Sequence, residues 1–346
     1  MRGLNERMDT VMKKDGLRWG ILATGGIANK FADALKCVPG AELAAVGSRA
    51  KETAEKFGER HGIPKERCFG NYEEFAACPD VDIVYVASPH SHHAEHSLLA
   101  LRAGKHVLAE KSFTLNPAQA ETVFGEARAR GLFACEAMWT RFLPVNRELK
   151  SFLESGTLGK VHTAWASFGA HFPDDWPLTH RIYDPKLGGG ALLDMGVYPA
   201  SWLSMIAGDR EPSSIQTTGK LFAPTGCDER SVTVCSYENG PETVAACAIK
   251  TKMEDTGRVF CEKGYIVMPS FWNAEKFLVR SEDGKEYEVH PERHEQGFVH
   301  EIVSVTEDIL AGRTESSVVP QSATMCVQRI LERARLDLGF RYDCER

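Results

Sequence analysis

The sequence predicts an α/β chain: an N-terminal, doubly wound parallel sheet, then an α+β region built on an open, mainly antiparallel sheet. Three observations lead there. Short apolar runs alternate with helical patterns up to residue 142, as in a parallel sheet buried between helices. The first of these runs ends abruptly in Ala23-Thr24-Gly25-Gly26-Ile27-Ala28, and a helical pattern follows at once. From residue 160 onwards polar and apolar residues alternate, with turn sequences at Glu238-Asn239-Gly240 and Glu282-Asp283-Gly284, which is the pattern of antiparallel strands. A length of 346 residues favours two domains. They are expected at 17–142 and 143–346, with 1–16 a polar tail.

In chain order, residues 17–23 read as a strand and 27–38 as a helix closed by Pro39-Gly40. A second strand (42–48), a helix (50–61), a brief strand (68–69) and a short helix (72–77) follow. The run 81–87 is apolar, as for a strand buried on both faces. It ends in Ser88-Pro89-His90-Ser91-His92-His93, and a helix continues to Ala103. Gly104 breaks that helix. Residues 106–109 form the next strand, with Glu110-Lys111 directly at its end. Pro117 opens a helix to residue 130, and 132–135 is the sixth strand. After a helix at 144–155, strands are expected at 160–172, 215–222, 231–237, 243–250, 257–261, 264–268 and 276–280. One helix (196–207) lies among them, and two more (297–311 and 321–338) close the chain.

A net charge of −7 gives no support for a nucleic-acid surface. No apolar run is long enough to cross a bilayer, and residues 1–16 lack the apolar centre of a signal peptide. The ten cysteines include no C-x-x-C pair. They read as free, mostly buried thiols in a reducing compartment, so a cytoplasmic protein is expected.

Sheets of this kind bind ligands at the carboxyl ends of their strands. A pyrophosphate held by N–H groups at a helix N-terminus calls for G-x-G-x-x-G or G-x-G-x-x-A. Here the pattern is Ala23-x-Gly25-x-x-Ala28. Gly25 permits close backbone approach and Ala28 tight helix packing, while Ala23 replaces the first glycine and is tolerable only with a negative φ. Ala23, Thr24, Gly25, Gly26 and Ile27 are therefore candidate dinucleotide ligands, although a glycine turn follows many strands. An acidic residue at the end of the second strand would take a ribose 2′-OH. The chain instead has Ser48-Arg49, with Lys51 close behind. A hydroxyl and a guanidinium suit a 2′-phosphate, which favours NADP with NAD as the alternative, unless Arg49 simply opens a helix in solvent.

Ser88, Pro89, His90 and His93 follow the 81–87 strand, and one or two of these histidines line a nicotinamide pocket on this reading. His92 and His96 are four apart, but no Cys or carboxylate completes a zinc spacing, so no metal is expected. Lys111 at a strand end can hydrogen-bond a substrate hydroxyl and lower the pKa of a neighbouring acid; a plain surface lysine is the alternative. In Gly188-Gly189-Gly190-Ala191-Leu192-Leu193-Asp194-Met195-Gly196-Val197-Tyr198 the glycines let a loop approach a ligand. Asp194 and Tyr198, four apart, share one helix face. They form either a carboxylate that orients substrate beside a phenol that moves a proton, or a helix cap and a core residue. His171, His180 and Arg181 fall in the preceding loop, where they contact substrate or merely decorate the surface.

These motifs, in this order over residues 17–342, resemble the glucose-fructose oxidoreductase, inositol dehydrogenase and MocA superfamily. The carriers are the turn at 23–28, Ala87-Ser88-Pro89-His90, Gly104-Lys105-His106-Val107-Leu108-Ala109-Glu110-Lys111, and the glycine run through Tyr198. Phe113-Thr114-Leu115-Asn116 and Glu136-Ala137-Met138-Trp139-Thr140-Arg141-Phe142-Leu143-Pro144 are similar to the branch of dimeric dihydrodiol dehydrogenases and NADP-dependent D-xylose dehydrogenases. The resemblance implies a Rossmann N-terminal domain and a catalytic Lys111 within the family's Glu-Lys-Pro motif. It also implies a proton-transferring Tyr198, a substrate-orienting Asp194, and Trp139 and Arg141 near nicotinamide and substrate. Ser112 stands where the family has proline, which alters the backbone setting of Lys111. Family members pair through the open face of the C-terminal sheet, so a homodimer or higher oligomer is expected.

The expectation is therefore an NADP-dependent oxidoreductase exchanging a hydride with the carbinol carbon of a sugar or vicinal diol, such as a D-xylose-type aldose or a trans-dihydrodiol. Lys111 would hold the substrate oxygen and lower the pKa of Tyr198 from the ordinary phenol value of about 10. Trp139 and Trp176 are candidate stacking faces. The other classes are a non-catalytic NADP(H) sensor, against which the intact Lys111, Asp194 and Tyr198 argue, and a redox-neutral sugar hydrolase that uses the cofactor transiently.

Overall fold

The structure, a computed structural model, describes residues 16–345. The tail expected at 1–16 lies, Gly16 apart, outside the described residues. The elements begin with β1 (Arg18–Leu22), α1 (Gly26–Leu35), β2 (Glu42–Gly47), α2 (Lys51–His61), β3 (Cys68–Phe69), α3 (Tyr72–Ala76) and β4 (Ile83–Val86). Next come α4 (His93–Arg102), β5 (His106–Glu110), α5 (Pro117–Arg130), β6 (Ala134–Ala137), α6 (Trp139–Phe142), α7 (Pro144–Glu154), β7 (Val161–Gly169) and α8 (Val197–Ile206). The last are β8 (Ser214–Leu221), β9 (Asp228–Ser236), β10 (Glu242–Ala248), β11 (Gly257–Cys261), β12 (Gly264–Met268), β13 (Phe277–Ser281), β14 (Glu286–Val289), α9 (Phe298–Leu310) and α10 (Gln321–Asp337). The chain divides into two compact units. The first comprises the residues through Thr114, Ala118–Trp139 and His294–Gln321; the second comprises Leu115–Pro117, Thr140–Arg293 and the residues from Ser322 on.

The first unit holds six parallel strands in the order β3-β2-β1-β4-β5-β6. The order reverses between β1 and β4, and such a reversal opens a crevice outside the carboxyl ends of the strands. All four residues of β4 are buried, which is why its sequence is apolar without alternation. Helix α1 turns Ala28, Phe31, Ala32 and Leu35 inward. Phe31 stacks on Tyr85 of β4 with ring centroids 3.6 Å apart. Helix α9, distant in sequence, completes this face. Phe298 meets Phe31 at 6.4 Å and Trp139 at 5.3 Å. A Cβ on Gly297 would stand 2.4 Å from the Trp139 ring, so only glycine lets the helix start there.

The second unit holds eight strands in the order β14-β13-β12-β11-β7-β10-β9-β8. Only β7 and β10 pair in parallel. One face is covered by α8, which packs on β7 and β10. On β9, buried Ser231, Thr233 and Cys235 alternate with exposed Val232 and Val234. Trp165, 47 % exposed, lies across Val244 from Val234 in the strand register. The other face thus carries an open apolar row.

Two local features depart from the sequence expectation. The helix expected at 196–207 is preceded, without a break, by a π-helical turn, Leu192–Gly196. Strand β14 was not anticipated because Glu286, Tyr287 and Glu288 are all exposed and leave no apolar period. No disulfide joins the ten cysteines, seven of which are buried. No helix among the described residues is long and apolar enough to cross a membrane.

Candidate active site

The cradle for a dinucleotide is built first by absence of contact. No side chain caps α1, and its first turn holds no acidic residue, so its leading N–H groups keep their positive end unsatisfied. A Cβ added to Gly25 or Gly26 would meet nothing within 4 Å. Gly25 has an ordinary φ of −71°, so here glycine leaves room for a ligand and relieves no internal clash. The left-handed residue is Ala23, at φ +81°. This corrects the expectation of a negative φ: the turn keeps the glycine-type backbone although the residue has changed. The Ala23 N–H donates to the Gly47 carbonyl at 2.9 Å and ties the ends of β1 and β2 together. Open space before an uncapped helix end fits a pyrophosphate.

At the end of β2, Ser48 is buried and its N–H donates to Phe69 O at 3.0 Å. Arg49 is exposed, and no hydrogen bond or ion pair holds it among the described residues. Its guanidinium fits a 2′-phosphate. Lys51 does not share that task, because its Nζ donates to the carbonyls of Lys65 (3.1 Å) and Cys68 (2.5 Å).

Histidines at the end of β4 fix the chain around Lys111. His93 is buried, with one ring nitrogen 2.7 Å from Ser88 O and the other 2.8 Å from Ser112 O. Burial pushes this imidazole down to about 4. The His90 ring donates to Lys111 O at 3.2 Å. His96 pairs with Ser88 Oγ at 2.9 Å, and burial pushes it down to about 4 as well. The buried Glu110 carboxylate accepts the Tyr85 hydroxyl and, at 3.1 Å, the Lys111 N–H. The Lys111 backbone is therefore gripped on both sides while its side chain stays partly exposed. On α9, Glu301 is fully buried and neither of its carboxyl oxygens finds a hydrogen bond among the described residues. Burial, with the Glu110 charge added, pushes its carboxyl well up. Trp139 is buried against Gly297 and Phe298.

In the second unit, the glycine run leads into the π-helical turn that carries Asp194. Asp194 is 5 % exposed, and its Oδ1 accepts Arg181 Nη1 at 2.8 Å. The N–H at the start of the helical segment, that of Leu192, donates at 2.5 Å to Oδ2 of Asp228 on β9. Tyr198, on the first turn of α8, is 8 % exposed, with Phe168 edge-on at 5.1 Å and Trp272 at 6.5 Å. Arg141 is buried and its guanidinium is committed to Asp209 through two bonds of 2.9 and 2.5 Å. Trp176 stands 4.1 Å from His180 by ring centroids. Lys250 ties their loop down by donating to Phe172 O (3.0 Å), Asp174 Oδ1 and Tyr183 Oη (both 2.7 Å).

The first unit thus gathers Ala23, Thr24, Gly25, Gly26, Ile27, Ser48, Arg49, Ser88, Pro89, His90, His93, Glu110 and Lys111 where its parallel strands end. The second unit carries Asp194 and Tyr198 on one continuous helical segment, with Arg181 beside them. Sequence reading missed Asp228, Glu301 and the Arg181–Asp194 pair. An isolated acid reads as a solvated residue, and only the fold shows it to be buried.

Residues 17–136 match the oxidoreductase family with an NAD-binding Rossmann fold, and residues 146–267 match the GFO/IDH/MocA C-terminal domain. The chain is 34% identical to the trans-1,2-dihydrobenzene-1,2-diol dehydrogenases of Bos taurus and Homo sapiens, over 94% of this chain and 98% of each relative. Among solved structures it is similar to aldose-aldose oxidoreductase from Caulobacter crescentus complexed with glycerol, with TM-score 0.85 and 24% identity over 94% of this chain and 98% of that one. It is also similar to KijD10, a 3-ketoreductase from Actinomadura kijaniata in complex with NADP and TDP-benzene. There the TM-score is 0.82, with 25% identity over 93% of this chain and 98% of that one.

Proposed function

The chain belongs to the Gfo/Idh/MocA oxidoreductase family, and from that premise we propose that it is an NADP-dependent dehydrogenase acting on a CH–OH group of a sugar or vicinal diol. The observation that carries this reading is the carboxyl edge of the first sheet. An uncapped helix end with open space before it, an unengaged Arg49 and a backbone-clamped Lys111 all follow its strands. NADP is favoured over NAD by the guanidinium at the place where an acid would hold a 2′-OH, and KijD10 offers a relative in complex with NADP. A trans-dihydrodiol is supported by the named activity of the 34%-identical relatives. A sugar is supported by the resemblance to D-xylose dehydrogenases.

The residues from Ala23 to Ile27 would hold the pyrophosphate and Ser48-Arg49 the 2′-phosphate. A nicotinamide bound there would supply the hydride acceptor or donor for the carbinol carbon. The Lys111 amine holds the reacting oxygen by hydrogen bonding. Tyr198 takes the hydroxyl proton on oxidation and returns it on reduction. Asp194, held by Arg181, orients a second hydroxyl of the substrate. Arg141 enters as a brace through Asp209. The open apolar row across β7, β10 and β9 supports a homodimer, and the buried thiols support a cytoplasmic setting.

The decisive experiment follows absorbance at the reduced-nicotinamide band with NADP, then NAD, across pentoses, hexoses, inositols and cyclic trans-diols. Reduction of NADP by one class, with Arg49→Ala raising KM for NADP about tenfold or more and leaving NAD use unchanged, is the expected result. A preference for NAD overturns the assignment of Arg49. Cofactor binding without turnover of any class points to the sensor or the redox-neutral hydrolase.

A further inference from the structure

The segment that carries Asp194 and Tyr198 starts at Leu192, and its leading N–H groups need acceptors. Ala191, which precedes the segment, makes no side-chain cap bond to it. The acceptor comes from another element. Asp228, at the start of β9, is wholly buried, and its Oδ2 lies 2.5 Å from the Leu192 nitrogen. The neighbouring Ala191 N–H also turns towards this carboxylate. Its other oxygen presses on the glycine run. A Cβ on Gly190 would stand 2.1 Å from Oδ1, and Gly190 has φ +127°, so the position is closed to any other residue. One residue earlier, Gly189 O accepts the hydroxyl of the buried Tyr342 at 3.3 Å. Tyr342 lies under the Arg335 guanidinium, 4.8 Å from its ring centroid, and Arg335 is itself paired with Glu345.

We propose that Asp228 is a positioning residue: it acts as a remote N-cap that fixes the Leu192–Gly196 turn and thereby sets where Asp194 and Tyr198 point. A buried carboxylate at a helix N-terminus stabilises the helix through both hydrogen bonding and the helix dipole. The cap comes from β9, while Asp194 is paired with Arg181. The helical start then depends on a strand of the sheet rather than on its own sequence. The titratable groups around Asp228 are Arg335, Tyr342, Cys227 and Cys247. Burial raises the Asp228 carboxyl to about 6.

The catalytic half of this inference rests on the dehydrogenase reading; the structural half does not, and two measurements separate them. The first is amide hydrogen exchange of the full-length protein without substrate. In Asp228→Ala, exchange over residues 190–198 should rise on the order of tenfold or more, the loss expected for a missing cap, with peptides from β4 and β5 unchanged. Asp228→Asn keeps an acceptor and should restore protection. Unchanged exchange at 190–198 in Asp228→Ala, or an equal rise throughout the second unit, overturns the proposal. The second is steady-state kinetics. Asp228→Ala should lower kcat about tenfold or more with cofactor Kd unchanged, because a small misplacement of reacting groups is costly, and Asp228→Asn should recover most of it. If Asp228→Ala does not fold, Asp228→Asn carries the test: it keeps the acceptor, so exchange over residues 190–198 and kcat should stay within about threefold of wild type, and a tenfold rise in exchange or fall in kcat overturns the proposal. Wild-type enzyme without turnover, alongside the predicted exchange pattern, refutes the dehydrogenase reading and leaves the cap standing.

Discussion

Replacing Ala23 by glycine should stabilise the protein. Ala23 holds φ +81° at the end of β1, locked there by its N–H bond to Gly47. For a residue with a Cβ, a left-handed backbone costs about 1–2 kcal/mol. Glycine removes that strain but has more freedom to lose on folding, about 0.5–1 kcal/mol. The half-buried methyl group contributes a further offset of about 0.3 kcal/mol, part of the ~0.8 kcal/mol for a fully buried carbon. The balance is about 0.5 kcal/mol in favour of Ala23→Gly, or about 1–2 °C in Tm for a cooperative unit of this size. The companion substitution, Ala23→Val, sharpens the test. A β-branched residue at this φ is a genuine outlier and should lose about 1–3 kcal/mol. Calorimetric melts of the three proteins should rank Gly above Ala above Val, each with and without NADP. A glycine variant that melts below the wild type, or a valine variant that matches it, would refute the claim that strain resides at this residue.

Three further outcomes follow from the same geometry. Gly25→Val should leave Tm within about 1 °C, since the added side chain meets open space and surface changes are usually small, yet raise cofactor Kd at least tenfold by fluorescence titration, a loss of about 1.4 kcal/mol; retained affinity would show that the pyrophosphate lies elsewhere. Lys111→Met and Tyr198→Phe should each lower kcat by about 100-fold or more while keeping cofactor binding, and normal turnover by either would remove that residue from the mechanism. On acidification the unfolded chain protonates its histidines first, at about 6.5, whereas buried His93 and His96 resist until about 4. Stability should therefore fall as pH drops from 6.5 to 4, by up to about 3 kcal/mol for each residue. Urea midpoints at pH 7.5 and 5 for wild type and His96→Gln measure this, with a shallower slope expected in the variant. The Asp228 carboxyl has the opposite sign: its folded value of about 6 lies above the ordinary 3.8, so the folded state takes up that proton first and gains stability over the same interval.

The strand and helix pattern was legible because each buried face leaves a period. The strands at 257–261 and 264–268 and the helix at 117–130 were placed to the residue. The turn after β1 was legible because an apolar run stops there in small residues and a helical pattern follows at once. What escaped lacks a local signature. Strand β14 buries nothing. The π-helical turn owes its start to Asp228, which is thirty-six positions away in sequence. Ala23 kept a backbone that its side chain argues against. Arg141 invited a ligand role, and only folding revealed Asp209 as its partner. Strand β14 is held only by its hairpin neighbour, whereas in the other three cases a contact distant in sequence overrode the local preference.

Helix α9 gives the first unit a history as well as a shape. Phe298 closes over Phe31 and Trp139, and Thr314 O accepts the Ala134 N–H at 3.3 Å on the flank of β6. All of these late residues leave the ribosome after the strands of the second unit have been made. The nucleotide-binding unit therefore cannot finish its core during the early part of synthesis, although six of its strands are already present. A gene fragment ending at residue 139 would leave Phe31 and Trp139 uncovered and prone to aggregate. A soluble version would need the segment 294–321 supplied as well, by co-expression or by a short linker in place of the second unit.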